Sequence, residues 1–536
     1  MVTAAANPTP DGAAHVGSPP VTSISLADVV KAYDVRGIVP EQLDARVTRA
    51  LGAAFAEVVV HGHTRGHERH EHARHDHARH DHDDSGAATS TPGCVIGHDM
   101  RDSSPELSHA FAEGARSRGV DVTLIGLAST DGLYYASGSL DLPGAMFTAS
   151  HNPAAYNGIK MCRSGARPVG QDTGLADVRI LAERILADPH PDHADGNAHS
   201  DGNADTDETT PGSLQERDVL ADYSTFLRGL VDLSGIRPLK VVVDAGNGMG
   251  GHTVPAVLET AAGLPELPLT VIPLYFELDG NFPNHEANPL DPKNLVDLQA
   301  AVVAHGADIG LAFDGDADRC FVVDERGEPV SPSAITALIA RREVARAVAD
   351  GADAADVAVV YNVICSAQVP EVIAGTGARG VRTRVGHSFI KGEMARHDAV
   401  FGGEHSAHYY FRDFWFADTG MLAAMHTLAA LGGQDAPLST VMSDLARYTA
   451  SGEINSTVTD APAATEKVRA WAQPQGVDTD ELDGLTLTHA GTGEDPMWWL
   501  NLRASNTEPL LRLNVEAADP ATMARVRDEV LAIVRA

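Results

Sequence analysis

At 536 residues, with 43% of them hydrophobic, the chain has room for three to four domains of about 150 residues, each with its own core. Its net charge of −34 argues against a nucleic-acid partner, although local arginines still allow a pocket for an anionic substrate. No apolar run is long enough to span a bilayer, no signal-peptide pattern opens the chain, and Cys94, Cys162, Cys320 and Cys365 lack the spacing of a disulfide framework or zinc site, so a cytoplasmic location is expected.

Residues 1–22 are rich in Ala, Pro, Gly and Ser and are expected to be a disordered tail. Residues 46–60 place Ala, Leu and Val at helical spacing. A tract of His, Arg, Asp and Glu follows at 61–84 and reads as a loop insertion before a strand at 94–97. Its imidazoles suit nickel, zinc or copper, but a solvated loop is the plainer reading. A short apolar strand is expected at 122–125, and a second disordered insertion at 188–215. Further strands are expected at 240–243, 269–272 and 357–360, and Ala-rich helices at 333–349 and 421–431. Asp244-Ala245-Gly246-Asn247-Gly248-Met249-Gly250-Gly251 lacks G-x-G-x-x-G spacing and reads as a tight strand-to-helix turn, not a dinucleotide site. The alternation predicts α/β architecture with mostly parallel, buried strands.

Two short segments carry the chemistry. Asp314-Gly315-Asp316-Ala317-Asp318-Arg319 puts three carboxylates at alternate positions beside an arginine, between apolar strands at 307–313 and 320–324. In a strand-like or turn segment such alternate residues share a side, so the three can converge on a hard divalent cation. The same pattern opens a calcium-binding EF-hand loop, and Glu325 even stands at its twelfth position. However, Arg319 occupies the place where that loop needs glycine, and the flanks are not helical. Thr148-Ala149-Ser150-His151-Asn152-Pro153 offers a hydroxyl nucleophile in a turn of small residues. Alone it is an ordinary Asn-Pro turn. Together the two segments point to a metal-dependent phosphoserine enzyme.

With these segments the chain resembles the α-D-phosphohexomutases, the phosphomannomutases, phosphoglucomutases and phosphoglucosamine mutases. The resemblance runs from about Val29 to the C-terminus, because four signatures stand in the family's order. They are the phosphoserine loop 148–153, the metal loop 314–319, the sugar loop Gly403-Glu404-His405-Ser406-Ala407-His408, and the phosphate loop Arg503-Ala504-Ser505-Asn506-Thr507-Glu508-Pro509. Tyr33-Asp34-Val35-Arg36-Gly37 and Val385-Gly386-His387-Ser388-Phe389-Ile390-Lys391 are lesser matches.

The resemblance implies three successive α/β domains with mixed, helix-sandwiched sheets, then a smaller α+β domain, around a central cleft. The expected divisions are 23–217, 218–329, 330–446 and 447–536. It implies that Ser150 carries a phosphoryl group and completes a Mg2+ site with Asp314, Asp316 and Asp318. Arg319, His151, Lys160, Arg36 and His408 are the further catalytic candidates, with His151 and Lys160 expected as cations beside the nucleophile. Tyr33, His387, Glu404, Ser406, Arg503, Ser505, Asn506, Thr507 and Arg512 are the substrate-binding candidates. A lone arginine or histidine of this kind is often only structural; the loop contexts raise these.

One departure stands out: many relatives carry a substrate-holding lysine where this chain has Ile364, and Lys391 is the nearest replacement to hand. The implied reaction interconverts mannose 6-phosphate and mannose 1-phosphate through a hexose 1,6-bisphosphate that also serves as activator. Glucose phosphates, alone or beside mannose, glucosamine phosphates, and simple phosphoserine hydrolysis by a phosphatase are the alternatives. The expected partners are small hexose phosphates, with no nucleic acid and no membrane; monomer and dimer both remain open.

Overall fold

A computed structural model of the chain describes residues 25–62, 92–188, 210–493, 495–504 and 510–536. The expected tail 1–22, the His-rich tract beyond Gly62 and residues 189–209 of the second insertion lie outside the described residues.

Four sheets follow one another along the chain. The first contains β1 (Val35–Ile38), β2 (Gly93–His98), β3 (Asp121–Leu127), β4 (Gly144–Phe147), β5 (Tyr156–Arg163), β6 (Arg167–Pro168) and β7 (Leu214–Glu216). Their order is β1-β5-β4-β2-β3-β7, with β6 on β5. The second runs β12-β11-β10-β8-β9, from β8 (Leu239–Asp244), β9 (Leu269–Leu274), β10 (Ile309–Phe313), β11 (Cys320–Asp324) and β12 (Pro329–Val330). The third runs β14-β13-β15-β16-β17, from β13 (Ala358–Asn362), β14 (Arg379–Thr383), β15 (Phe401–Gly403), β16 (Tyr409–Phe411) and β17 (Ala417–Asp418). The fourth runs β18-β22-β21-β20-β19, from β18 (Thr449–Thr457), β19 (Asp478–Asp480), β20 (Leu485–His489), β21 (Trp498–Ala504) and β22 (Leu510–Ala517).

The first three sheets share a plan. A parallel group (β4-β2-β3-β7, β10-β8-β9 and β15-β13-β14) ends in a strand whose successor turns back antiparallel: β4 to β5, β10 to β11, β15 to β16. The sheets are therefore mixed rather than mostly parallel, and the fourth is wholly antiparallel. A reversal at the end of a parallel strand puts its loop at the carboxyl edge of the sheet, where α/β folds bind ligands. Residues 148–155, 314–319 and 404–408 are these three loops, and 505–509 connects the antiparallel pair β21 and β22.

The apolar sequence of the strands explains why the edge is rigid. All ten residues of β10 and β11 are buried, as a strand covered by helices on both faces must be. Their core runs without a break into the third sheet, joining Val241, Leu311 and Phe321 to Leu338 and Leu428 on the helices Pro332–Ala349 and Gly420–Gly432. The fourth sheet has a separate core around Trp498, Leu500 and Leu513. One further expectation changes, and one alternative already disfavoured is closed. The end of the second insertion is ordered, since Leu214 and Gln215 pair with Val122 and Thr123 as part of β7. Glu325 turns away from the acidic loop and accepts hydrogen bonds from Ser439, which removes the EF-hand reading.

Candidate active site

Ser150 sits in the β4–β5 connection at φ 49°, the left-handed region that non-glycine residues seldom enter. Such a conformation persists only where neighbours hold it. Here its amide donates to Thr148 Oγ1 at 2.9 Å and its carbonyl accepts from Arg101 Nη2 at 2.8 Å. The hydroxyl, left pointing at the second sheet, donates to Asp314 Oδ2 at 2.8 Å.

The acidic loop closes the β10–β11 hairpin, with Phe313 paired to Cys320. Its carboxylates converge because of a tight turn, with Ala317 at φ 60°, and not because of strand alternation. Ligand oxygens of Asp314, Asp316 and Asp318 lie within 4.8 Å of one another. All three residues are buried. Lys160 Nζ donates to Asp316 Oδ2 at 2.7 Å and Asp318 Oδ2 at 2.5 Å, and Thr130 Oγ1 donates to Asp316 Oδ2 at 2.6 Å. Arg319 donates through Nε to Asp314 Oδ2 at 3.0 Å. Gly315 is required by proximity: a Cβ there would stand 2.4 Å from the Ser150 carbonyl oxygen.

This set suits a hard divalent cation. Asp316 Oδ1 and Asp318 Oδ1 are buried without a hydrogen-bond partner, which is costly unless something positive completes them. Burial, opposed by Arg319 and reinforced by Asp318 and Asp316, pushes the Asp314 carboxyl well up from its ordinary value. Burial pushes Asp316 the same way, but Lys160 overrides it and holds that carboxyl well below the usual range. With all three carboxylates ionised, Arg319 and Lys160 leave the cluster at a net charge of about −1, which a phosphoserine would take to about −3 and a divalent ion would return to about −1.

His151 does not act as the expected cation. Its Nδ1 accepts from Arg319 Nη2 at 2.6 Å, which needs an unprotonated nitrogen. Burial and the Arg319 charge push its pKa down to about 3. Lys160, held charged by Asp316 and Asp318 against the cost of burial, is a cation of this cluster. Arg36, on β1, pairs with Asp34 at 2.6 Å and donates to Asn152 Oδ1, which sets it against the Ser150 loop.

The β15–β16 hairpin meets the acidic loop directly, since Arg319 and His408 form a β-bridge. His408 Nε2 lies 3.7 Å from Asp318 Oδ1, and its Nδ1 lies 3.1 Å from Ser406 Oγ. Glu404 is buried and takes hydrogen bonds from Gly386 N at 3.0 Å, Tyr410 Oη at 3.1 Å, Asn362 Nδ2 at 3.2 Å and Ser406 Oγ at 3.4 Å. A carboxylate has about four acceptor positions, so the protein itself fills them. Tyr33 packs edge-on against His387 with ring centroids 4.8 Å apart. Burial, aided by Lys391, pushes His387 down to about 4. Lys391 does not replace the lysine missing at Ile364. It is 4% exposed, 2.8 Å from Asp418 Oδ1, with its ammonium 4.2 Å from the centre of the Tyr134 ring.

On the fourth sheet Arg503 and Arg512 are direct cross-strand neighbours. Like charges in that position repel, and Glu453 offsets them, 2.7 Å from Arg503 Nη2 and 3.5 Å from Arg512 Nη1. Ser505, Asn506 and Thr507 lie outside the described residues.

Four family models match the chain in order: phosphoglucomutase/phosphomannomutase α/β/α domain I at 83–183, domain II at 221–327, domain III at 331–448 and the C-terminal domain at 453–533. A phosphomannomutase of Escherichia coli is 35% identical over 511 residues, covering 94% of this chain and 98% of that protein. The chain belongs to the phosphoglucomutase/phosphomannomutase family. Phosphohexose mutases of Xanthomonas campestris pv. campestris are likewise 35% identical, across 93% of this chain and 97% of theirs. A crystal structure of a phosphoglucomutase/phosphomannomutase family protein from Burkholderia thailandensis superimposes with a TM-score of 0.75 at 29% identity, covering 95% and 97% of the two chains.

As a phosphohexomutase of carbohydrate metabolism, this enzyme uses residues that sequence reasoning passed over. Arg101 binds the carbonyls of the Ser150 loop, Thr130 binds Asp316, and Asp131 ties the first domain to Tyr223 at 2.8 Å and Thr419 at 2.7 Å. A signal was present for Arg101: Asp99-Met100-Arg101-Asp102-Ser103-Ser104 is a polar run at the carboxyl end of buried β2, the place where α/β sheets build sites.

Proposed function

We propose that the enzyme interconverts mannose 6-phosphate and mannose 1-phosphate through phospho-Ser150 and a hexose 1,6-bisphosphate. The observation that supports the phosphoserine route is the 2.8 Å hydrogen bond from Ser150 Oγ to Asp314 Oδ2 at the edge of the acidic cluster, and the choice of mannose follows the relatives named phosphomannomutase. Asp314, Asp316 and Asp318, with a phosphate oxygen on Ser150, would hold Mg2+. When bound, that ion supplies positive charge against the transferring phosphoryl group.

The side chains divide the remaining work. Arg319, locked on Asp314 and His151, and Lys160 stabilise negative charge on the phosphoryl group as it passes. Arg36 on β1, bonded to Asn152 of the Ser150 loop, adds charge at the same end. The bond from phosphorus to Ser150 Oγ breaks as a bond to a sugar hydroxyl oxygen forms. One phosphoryl group moves to the sugar and one proton moves the other way. The bisphosphate then turns, and the second phosphate returns to Ser150 by the same route. Arg503 and Arg512, with Ser505, Asn506 and Thr507, would grip the phosphate that is not reacting. Glu404, Ser406, His408, His387 and Tyr33 would orient the sugar, a hydroxyl taking the place of the Ser406 donor, whose bond to Glu404 is the longest of the four. Four free, buried cysteines fit the reducing cytoplasm as its place of action.

The test pairs intact mass with kinetics. A phosphate on Ser150, lost in Ser150→Ala together with turnover, supports the phosphoserine route. Full activity of Ser150→Ala overturns it. Relative kcat/KM for mannose 1-phosphate and glucose 1-phosphate, with Mg2+ and hexose 1,6-bisphosphate, reads the sugar. Comparable rates would replace the mannose assignment with dual specificity.

A further inference from the structure

Arg101 is fully buried in the first domain, outside every signature segment, and its guanidinium is fully used. Nε donates to Asp99 Oδ2 at 3.2 Å, Nη1 to the carbonyls of Pro153 and Tyr156 at 3.0 Å each, and Nη2 to the carbonyls of Ser150 at 2.8 Å and Asn152 at 2.7 Å. A guanidinium has five N–H donors, and here five acceptors meet them. Four of those acceptors are backbone carbonyls within seven residues of one irregular loop. A strand or helix would satisfy such carbonyls from the backbone; here one side chain reaches all four, and the Pro153 carbonyl also accepts from the Tyr156 amide at 2.9 Å.

The contacts continue toward the acidic loop. The Phe282 ring lies over the guanidinium, 5.3 Å from its carbon, and its edge also stands 3.5 Å from where a Cβ on Gly315 would be. Arg101 therefore connects the left-handed Ser150 on one side with the wall of the acidic loop on the other. Asp99 holds it from behind, and Ser104 in turn donates to Asp99 Oδ1 at 2.6 Å.

We infer that Arg101 is a positioning residue for phosphoryl transfer: it holds the 150–156 loop so that Ser150 keeps its left-handed conformation and presents Oγ to the acidic cluster. This rests on the reading of Ser150 as the phosphorylated nucleophile. Arg101 itself touches no reacting atom. Its effect is on how Ser150 is presented, so it acts on the chemical step and leaves in place the sugar and distal phosphate contacts, none of which it touches. A lysine does not substitute, because three donors on a single point cannot reach four carbonyls and Asp99.

The experiment compares wild type, Arg101→Ala, Arg101→Lys and Ser150→Ala for kcat, KM and phosphate incorporation into the intact protein from hexose 1,6-bisphosphate. Arg101→Ala is expected to lose about 100-fold in kcat, the cost of a nucleophile displaced by about an ångström, with KM within about threefold. Its phosphate incorporation slows in parallel. Arg101→Lys is expected to recover little of the loss. Millimolar guanidinium, which re-enters the vacated space, restores part of kcat in Arg101→Ala and changes neither wild type nor Ser150→Ala.

Wild-type kcat in Arg101→Ala, or full recovery in Arg101→Lys, overturns the inference while leaving the phosphoserine reading intact. Full activity of Ser150→Ala overturns the reading beneath it instead. Should Arg101→Ala fail to fold, Arg101→Lys carries the test: a folded lysine variant with wild-type kcat is the overturning result, and one with kcat lost and KM kept supports the inference.

Discussion

The β10–β11 hairpin and the β21–β22 hairpin both present charged residues to the proposed reaction, but among the described residues only the first is held from several sides. Its acidic loop is bonded by Ser150, Lys160 and Thr130 from the first domain. Met249 of the second sheet's own strand-to-helix turn donates to the Gly315 carbonyl at 2.9 Å. Gly420 of the third domain lies so close that a Cβ there would stand 2.7 Å from the Arg319 carbonyl. Among the described residues, Arg503 and Arg512 on the other hairpin share a single carboxylate, Glu453. Their Nε groups are buried without partners. The difference matches two tasks. A group that must meet a reacting phosphorus within a fraction of an ångström needs a preorganised frame. A grip that must accept either end of a turning bisphosphate needs exchangeable partners.

The comparison predicts that the first hairpin is brittle. Removing the proposed nucleophile in Ser150→Ala should cost turnover by roughly 10^6-fold, the scale of losing a covalent catalytic group. A residual rate within tenfold of wild type would break the picture at its base. A single methyl group should also be felt. Gly315→Ala sets carbon against the Ser150 carbonyl, and one loop must move; we expect kcat to fall about 100-fold with KM little changed. Stopped-flow or coupled assays of both constants check this.

The second hairpin should be tolerant, with losses in binding instead. Arg503→Ala should raise KM about 10- to 100-fold, equivalent to losing one or two charged hydrogen bonds of about 1.5–3 kcal/mol, with kcat kept within about threefold. Arg512→Ala should shift KM the same way by less. Glu453→Gln sharpens the test. If the carboxylate competes with substrate phosphate for the two arginines, its removal lowers KM severalfold. A KM as high as that of Arg503→Ala would show that Glu453 aims the arginines instead of shielding them.

Much of this division was legible in the sequence, for definable reasons. Four loop signatures and the α/β alternation rest on local patterns: apolar runs bounded by small or polar residues mark β2, β8, β10 and β13, and alternating carboxylates mark a cation site. What escaped depends on distant partners. The neutral state of His151 follows from an arginine 168 residues away in the chain. The saturation of Glu404 follows from a tyrosine, an asparagine and a backbone amide brought in by folding. Lys391 looked available because its burial beside Asp418 and Tyr134 is a property of two packed domains, not of its own segment. β7 was hidden because a three-residue edge strand after a polar tract has too few residues to show a period.

The smallest predicted effect concerns the frame behind the rigid hairpin. His426 lies on the helix that begins at Gly420, buried and stacked on Phe411 with ring centroids 5.2 Å apart. Arg342 Nε stands 3.5 Å from its Nδ1, and Glu343 Oε1 stands 3.6 Å from its Nε2. Burial, with Arg342 and Arg346, pushes its pKa down from the ordinary 6.5 to about 3. Below pH 6.5 the unfolded chain therefore binds a proton that the folded chain refuses. Stability from this group is complete above pH 6.5 and is lost progressively as pH falls toward 3, with a limiting slope of about 1.4 kcal/mol per pH unit. Between pH 7.5 and 5.5 the loss should be about 1.3 kcal/mol, read as a lower denaturation midpoint for the core shared by the second and third sheets. His426→Gln cannot take up that proton. Its midpoint should be lower at pH 7.5 through lost packing, yet should fall less on acidification than wild type. An equal fall in both proteins would mean that the acid sensitivity of this frame comes from other groups.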